Sequence, residues 1–169
     1  ITNLFFTDNA ADAEVKGVEG DILWMPESLD GLTLSGSFAF NDSEITKVIT
    51  PTNDVTKGDS LAFAPEFQFS LRARYEWGIG SGRVAHFMPH ATYSDASYSD
   101  IITINRAKMD DWLMLGFTAG VTTDNWSAEV FAENITDETA EISRSFIYDR
   151  HRSYYARPFT GGIRLTYDF

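Results

Sequence analysis

Basic and aromatic side chains are concentrated in one short segment near the end of this 169-residue chain. The members of this basic–aromatic cluster are Arg144, Phe146, Tyr148, Arg150, His151, Arg152, Tyr154, Tyr155 and Arg157. Guanidinium groups bind anions through paired N–H donors and stack on aromatic rings, so the cluster is suited to an anionic, aromatic ligand. The alternative is that these residues pack the segment against its neighbours or pair with Glu138, Glu141 and Asp149.

The histidines do not predict a metal centre. His86 and His90 are four residues apart, and on a β-strand this spacing separates them by about 13 Å. That distance is too long for both imidazoles to bind one ion, so we expect two solvated histidines. His151 is a lone histidine in the basic–aromatic cluster, and a heme or metal ligand there is the weaker alternative. We predict no metal and no cofactor.

Several function classes are disfavoured by composition and motifs. The net charge of −12 opposes binding to phosphate backbones, so we predict no nucleic-acid partner. The chain has no cysteine, which excludes disulfides and thiolate metal sites. It contains no GxSxG, HExxH or phosphate-binding glycine loop, so we predict that it is not an enzyme. Its apolar runs are too short for a helix to cross a bilayer.

The elements that carry these residues are strands, because apolar and polar side chains alternate along most of the chain. A period of two is typical of a strand, whose successive side chains point to opposite faces. The clearest example, Leu61–Trp77, is longer than a typical strand of roughly 5–6 residues in a soluble protein. The other predicted strands are Val18–Trp24, Leu32–Asn41, Ala85–Tyr93, Leu113–Thr122, Trp126–Glu133 and Phe159–Phe169, with a partial strand at Ile1–Thr7.

The links between these strands alternate between short and long. The short links are Met25–Gly31, Gly78–Arg83 and Asp124–Asn125, and the long links are Asp42–Ser60, Ser94–Asp111 and Thr136–Pro158. In a meander, this alternation collects all short turns at one end and all long loops at the other. The pattern predicts an all-β fold, an antiparallel up-and-down transmembrane β-barrel with periplasmic turns and extended external loops.

The two faces of the predicted strands differ in a way that favours a membrane. Aromatic residues lie near the strand ends on the apolar face, for example Trp24, Trp77 and Tyr93, as expected where headgroups meet hydrocarbon. The opposite face is polar, which suits a water-filled lumen. We predict these lumen-facing residues: Glu66, Gln68, Arg72, Arg74, His86, His90, Glu129 and Glu133. The alternative is a soluble ligand-binding β-barrel of the lipocalin type.

Several segments, in order, resemble TonB-dependent outer-membrane receptors. The resemblance rests on residues 13–20 (AEVKGVEG), Trp24-Met25-Pro26, the strand 32–41, Gly58-Asp59-Ser60-Leu61 and Asn134-Ile135-Thr136-Asp137. The last segment, residues 157–169, resembles the closing strand of that family. Its residues Gly162, Leu165, Tyr167 and Phe169 are similar to the terminal signal recognised by the barrel-assembly machinery. The three sequons at Asn41, Asn125 and Asn134 are coincidental in a bacterial outer-membrane protein.

The resemblance implies a receptor in the bacterial outer membrane that imports a scarce nutrient with energy from the TonB complex. A ferric siderophore is the expected substrate, captured by external-loop residues of the basic–aromatic cluster: Arg144, Tyr148, Arg150, His151, Arg152, Tyr154 and Tyr155. A ferric catecholate would fit that cluster; cobalamin, heme and oligosaccharides are alternatives. Other implied partners are outer-membrane lipids and lipopolysaccharide, whose phosphates acidic loop segments could contact through divalent cations.

The family has an N-terminal plug and a 22-stranded barrel. The sequence therefore predicts that residues 1–169 are the C-terminal portion of the barrel, about seven to eight strands, without the plug. The alternative is a complete eight-stranded outer-membrane barrel with a structural or adhesive role.

Overall fold

The computed structural model describes residues 9–49, 53–147 and 150–169, and nearly all regular structure in these ranges is β-strand. The strands are β1 (Ala11–Trp24), β2 (Leu32–Val48), β3 (Phe67–Gly80), β4 (Arg83–Ser94), β5 (Ser97–Tyr98), β6 (Lys108–Met109), β7 (Trp112–Thr122), β8 (Trp126–Glu133), β9 (Glu141–Ile147), β10 (Arg150–Tyr155) and β11 (Thr160–Tyr167). A single 3-10 turn spans Thr103–Asn105. Among the described residues, no helix has the length and apolar character needed to cross a bilayer.

Seven of these strands form one antiparallel sheet in the order β1-β2-β3-β4-β7-β8-β11. Each main strand pairs with the next one along the chain, so the up-and-down meander and its seven full strands are confirmed. Two short hairpins, β5–β6 and β9–β10, lie within the connections β4–β7 and β8–β11. The sheet is not closed, since β1 and β11 are its edges within the described residues, whereas a complete eight-stranded barrel would be closed. The predicted strand Ile1–Thr7 lies outside the described residues.

The register matches apolar residues with apolar residues on one face of the sheet, from β1 to β11. One apolar row runs through Phe40 and Phe67, and the next through Phe38, Phe69, Tyr93 and Leu113. The last pair of strands repeats the pattern, with Trp126 opposite Tyr167 and Val130 opposite Ile163. Most of this apolar face is exposed, whereas the largest fully buried side chain, Ile45, lies at the far end of β2 under a loop. An apolar surface of this extent requires a non-aqueous neighbour.

The connections are short at one end of the sheet, called the turn end, and long at the other, called the loop end. The tightest is the β3–β4 hairpin, where Ser81 and Gly82 have φ of 55° and 68°. Two successive positive φ values are the signature of the type I′ turn, whose twist matches that of the strands it joins. The predicted separation of short turns from long loops is confirmed.

Three predicted strand limits are wrong: the start of β1, predicted at Val18 and observed at Ala11, the start of β3 and the end of β2. The strand expected from Leu61 begins at Phe67, because Phe63 adopts a left-handed φ of 54° and Pro65 lacks a backbone donor. The link expected from Asp42 is instead strand up to Val48, paired with β1 from Ala11 onwards. Both faces of this projecting ribbon carry polar residues, so the alternation that marks the rest of the sheet disappears while the backbone ladder continues.

Candidate functional site

The polar face of the sheet carries a groove at its loop end. Two cross-strand rows form it, the first joining Glu19, Ala39, Gln68, Ser94 and Trp112, and the second joining Asp21, Ser37, Ser70, Thr92 and Met114. We call the cavity of about 620 Å³ lined by Glu19, Asp21, Ser37, Gln68, Ser70, Thr92, Ser94 and Trp112 the loop-end groove. These side chains are carboxylates, hydroxyls, one amide and one indole, all able to bind a polar ligand, and the aromatic residues Phe38, Phe69 and Tyr93 also line the cavity.

The loop-end groove has a negative charge bias. Among the described residues, its lining includes Glu19 and Asp21 but neither Lys nor Arg. The first cation on this face is Arg72, one row closer to the turn end than Ser70. The groove therefore differs in charge from the part of the face below it.

Three long connections converge on a smaller cavity of about 170 Å³ beside the groove. Phe63 of the β2–β3 connection, Met109 of β6 and Ile142 of β9 supply apolar walls, and the acidic walls are Asp95, Asp110 and Glu141. Gln68, Ser94 and Trp112 line both cavities. The small cavity therefore adjoins the loop-end groove directly.

Closer to the turn end, two rows of ionisable side chains cross the sheet; we call them the His–Glu rows. The first contains Glu76, His86, Gly120, Glu129 and Arg164, and the second contains Arg72, His90, Gly116 and Glu133. His90 Nε2 lies 2.8 Å from Glu133 Oε2. His86 Nε2 lies 3.3 Å from Glu129 Oε1, and Arg164 Nη1 donates to the other oxygen of Glu129 at 3.0 Å.

Both histidines reach across strand β7, which is possible because that strand has glycine at each crossing. A Cβ at Gly120 would lie 2.6 Å from the carbonyl oxygen of Ala128 and 2.9 Å from His86 Cε1. A Cβ at Gly116 would collide with His90 Nε2. The expectation of two solvated histidines is wrong for His86, which is only 2% exposed because it fills the gap over Gly120. Its Nε2 is close to Glu129 but lacks hydrogen-bond geometry.

The remaining residues predicted to face the lumen divide into two groups. Arg74 lies on the polar face of β3 and donates to Glu76 Oε1 through Nε at 3.0 Å and Nη2 at 2.8 Å. Glu66 precedes β3, where its carbonyl oxygen accepts from the amide of Asn41 at 2.8 Å. The structure thus brings seven of the eight predicted residues onto one face, on β3, β4 and β8, and leaves Glu66 at its rim.

The β9–β10 hairpin contains most of the basic–aromatic cluster but does not gather it into one site. Arg150, Arg152 and Tyr154 alternate along one face of β10, and His151 lies on the other, 4.9 Å from the Phe146 ring. Tyr148 lies outside the described residues. The cluster is therefore divided between the two sides of an exposed ribbon.

Arg144 is committed to a partner inside the hairpin. Its Nε and Nη2 donate to the two oxygens of Glu141 at 2.7 and 2.6 Å. These hydrogen bonds, with one involving Ser153, hold the pKa of the Glu141 carboxyl below its usual value and raise the pKa of Arg144, while burial opposes both shifts. For this residue the alternative of pairing with Glu141 is confirmed.

Sequence reasoning missed Arg106, which joins two of the long connections. Its Nη1 donates to the carbonyl oxygens of Ser60 and Asp100 at 2.9 and 3.0 Å, and its Nη2 donates to Ser60 Oγ at 2.9 Å. The guanidinium carbon lies 3.8 Å from the centre of the Tyr98 ring. No periodicity marks a loop arginine of this kind, because its partners are backbone and side-chain oxygens of residues in two different connections.

Asn134 was interpreted as part of a coincidental sequon, and it closes the base of the third connection. Its amide nitrogen donates to the carbonyl oxygens of Glu138 and Arg157 at 2.9 and 3.0 Å, and its side-chain oxygen accepts from the Glu138 amide at 2.8 Å. Its φ of 50° is a conformation that asparagine tolerates better than most residues. The available signal in the sequence was the position of Asn134 directly after the last residue of β8.

The residues of the predicted assembly signal lie on both faces of β11. Leu165 and Tyr167 are on the apolar face, opposite Ala128 and Trp126, and Phe169 follows the strand. Gly162 is on the polar face, where a Cβ would meet the Phe131 ring at 2.7 Å. Its absent side chain therefore makes room for Phe131, and the signal role of the four residues stays a prediction.

Within residues 9–49, 53–147 and 150–169, no three histidine or acidic side chains are close enough together to hold a metal ion.

Comparison with known proteins identifies the family. The model of the TonB dependent receptor-like β-barrel matches residues 1–135. The chain belongs to the TonB-dependent receptor family. Members of this family are outer-membrane proteins of Gram-negative bacteria, so the receptor lies in that membrane. No curated protein matches the sequence at a significant level.

Two solved structures show the same fold. The ferric yersiniabactin uptake receptor FyuA from Yersinia pestis has a TM-score of 0.76 and 18% identity, over 95% of this chain and 24% of that one. The siderophore receptor PiuA from Acinetobacter baumannii has a TM-score of 0.69 and 18% identity, over 92% of this chain and 22% of that one. The receptor chain thus spans about a quarter of the length of these proteins. The fold corresponds to the C-terminal part of their barrels.

Proposed function

We propose that the intact receptor imports a ferric siderophore, with energy delivered by the TonB complex to a plug inside the barrel. Family membership supports an outer-membrane receptor, and the two structural neighbours are named as a ferric yersiniabactin uptake receptor and a siderophore receptor. The observation that carries the proposal is the convergence of three long connections on a small cavity that adjoins the loop-end groove, on the face opposite the apolar band. Receptors of this family are transporters rather than enzymes.

The proposal assigns the apolar face to lipid and the polar face to the lumen. Glu66, Gln68, Arg72, Arg74, His86, His90, Glu129 and Glu133 are then lumen-facing residues. A charged side chain on the lipid side has no water to solvate it. An apolar side chain can contact lipid without losing favourable hydration. The sorting of charges onto one face of β3, β4 and β8 supports this orientation.

The external connections are proposed to capture the substrate before it enters the loop-end groove. Arg150, Arg152, Tyr154 and Tyr155 are exposed on β10 and are the contacts of this step, together with Tyr148 and His151. Arg144 acts differently in the proposal, because its pairing with Glu141 holds the hairpin together.

The partners in this scheme are the TonB complex, reached through the plug, and the lipids and lipopolysaccharide around the barrel. The barrel-assembly machinery would recognise Gly162, Leu165, Tyr167 and Phe169.

The test is iron uptake by the full-length receptor in cells that lack other siderophore receptors. We expect accumulation of radioactive iron supplied as a siderophore complex, abolished by deletion of tonB. The double variant Arg150→Ala with Arg152→Ala should raise the KM for uptake, because the guanidinium hydrogen-bond donors of the capture surface are lost. The control Arg83→Ala makes the same change at the turn end and should leave KM unchanged. Uptake that persists without TonB would contradict the proposal.

A further inference from the structure

The charge of the loop-end groove restricts which ferric complex can pass, an inference that rests on the proposed function. Glu19 and Asp21 lie at one end of the two rows that form the groove, and neither forms an ion pair with another described residue. Both side chains are exposed on this face. Two carboxylates without an ion-pair partner among the described residues, on a single concave surface, produce a negative potential that a cation or neutral molecule tolerates and an anion does not.

The cavity next to the groove has a weaker negative bias. Asp95, Asp110 and Glu141 line it, and within the described residues neither Lys nor Arg does. Arg144 offsets the charge of Glu141 at 2.6 Å, and Lys108 lies 3.6 Å from Asp110, so among the described residues Asp95 is the carboxylate of this cavity without an ion pair. The exposed arginines of β10, Arg150 and Arg152, line neither this cavity nor the groove. A ligand passing from the loops to the groove therefore meets acidic and neutral side chains at both stages.

Ferric siderophores differ sharply in charge. Each catecholate ligand is a dianion, so a ferric tris-catecholate is a trianion. Each hydroxamate ligand is a monoanion, so a ferric tris-hydroxamate has no net charge apart from its substituents. Juxtaposed like charges suppress binding of the wrong partner, so the groove discriminates against the trianion.

The uncharged lining of the groove also suits a hydroxamate complex. Gln68 offers an amide that both donates and accepts, and Ser70 and Thr92 offer hydroxyls. These groups match the amide and carbonyl groups along the backbone of a hydroxamate siderophore. The Trp112 indole, half-buried at the other end of the row from Glu19, provides an apolar surface for the methylene linkers.

We propose that the loop-end groove selects a neutral or cationic ferric complex of the hydroxamate class and rejects ferric tris-catecholates. Glu19 and Asp21 are the residues that determine this specificity, and Trp112 is the packing surface.

The test measures ligand affinity on the full-length receptor purified in detergent, by quenching of tryptophan fluorescence. The probes are ferrichrome, a neutral tris-hydroxamate; ferrioxamine B, a cationic one; and ferric enterobactin, a tris-catecholate. We expect at least one hydroxamate complex to bind more tightly than ferric enterobactin. The double variant Glu19→Lys with Asp21→Lys should shift the ratio of the two dissociation constants by about tenfold or more towards the catecholate, since contacting like charges are replaced by opposite ones.

The matched control is Glu27→Lys with Asp124→Lys, which makes the same charge change in two turns at the opposite end of the sheet. It should leave the ratio unchanged. Tighter binding of ferric enterobactin to the unmodified receptor, or a ratio that the groove variant does not move, would overturn the inference and leave the proposed function intact. Binding of none of the three complexes, together with TonB-independent iron uptake, would instead overturn the proposed function.

Discussion

The two ends of the polar face differ in whether their ionisable side chains have ion-pair partners. At the turn end, most ionisable side chains lie beside an ionisable partner: His90 beside Glu133, Arg74 beside Glu76, and Glu129 beside both His86 and Arg164. At the loop end, Glu19 and Asp21 have no ion pair among the described residues, and hydroxyl and amide side chains fill the space between them and Trp112. Two neighbouring parts of one face thus differ in whether the protein neutralises its own charges.

The difference is the one expected between the wall of a barrel and the proposed binding surface. Side chains that satisfy each other across strands fix the positions of those strands and have little capacity left for a ligand. Exposed carboxylates without partners remain hydrated and contribute little to stability, but they are available to an incoming molecule. This division supports the assignment of transport specificity to the loop-end groove and of mechanical integrity to the His–Glu rows.

The comparison depends on both regions facing water, and a charge on the opposite face tests this most severely. Leu115→Arg puts a cation on the apolar face of β7, and we expect a loss of about 2–4 kcal/mol in the free energy of unfolding. Thr118→Arg, on the polar face of the same strand, should cost much less. The measurement is the urea dependence of folding into lipid vesicles. Equal costs for the two variants would invalidate the orientation and with it the comparison.

The scaffold role of the His–Glu rows is tested by closing one of the crossings over β7. Gly120→Val puts a Cβ 2.6 Å from the Ala128 carbonyl oxygen and 2.8 Å from Glu129 Cγ. Overpacking of this kind costs about 1–3 kcal/mol, which should appear as a lower unfolding midpoint. The control is Gly78→Val on the polar face of β3, where a Cβ has no atom within 4 Å. A midpoint that falls equally in both variants would mean that the crossing has no special role.

The smallest effect concerns the Arg144–Glu141 pair. It tests, outside the membrane, whether paired side chains hold neighbouring segments in place. Because the pKa of Glu141 is lowered in the folded hairpin, its stabilisation is complete above its ordinary value of 4.5. The stabilisation is lost as the pH falls through the folded-state pKa. Hydrogen exchange of the hairpin amides, corrected for intrinsic rates, should therefore lose protection on acidification.

Glu141→Gln should remove this pH dependence and lower protection at neutral pH. Glu138→Gln, three residues earlier, should retain it, because Glu138 contacts Asn134 in the base of the connection through its backbone. Identical pH profiles for the two variants would assign the effect to other carboxylates.

Alternation predicted the sheet where only one face meets water. Trp126–Glu133 has the predicted limits, and Leu113–Thr122 differs from β7 by one residue. The projecting half of β2 escaped prediction because its two faces share a polar environment and the period vanishes. The reverse error occurred at Leu61. Phe63, Pro65 and Phe67 occupy alternate positions and so extend the apolar pattern of the strand, although the backbone turns at Phe63.

The site was less predictable because its contacts depend on register between distant strands. The sequence separated His86 from His90 correctly, but nothing in β4 alone indicates that each histidine has a glutamate two strands away. Arg144 shows the same limitation in a loop. Its sequence neighbours suggested either a ligand or a local partner, and the choice required the geometry of the Glu141 carboxylate.

The equal spacing of the His–Glu rows has a consequence for how strands β4 and β7 find their alignment. Histidines and glycines both recur every four residues, so the native alignment matches two pairs at once. A slip of two residues would preserve the inside–outside pattern, which is otherwise the main determinant of strand alignment, but it would match neither pair. A slip of four would match only one. The two His–Gly matches therefore distinguish the native register from the shifted registers that the hydrophobic pattern alone would allow.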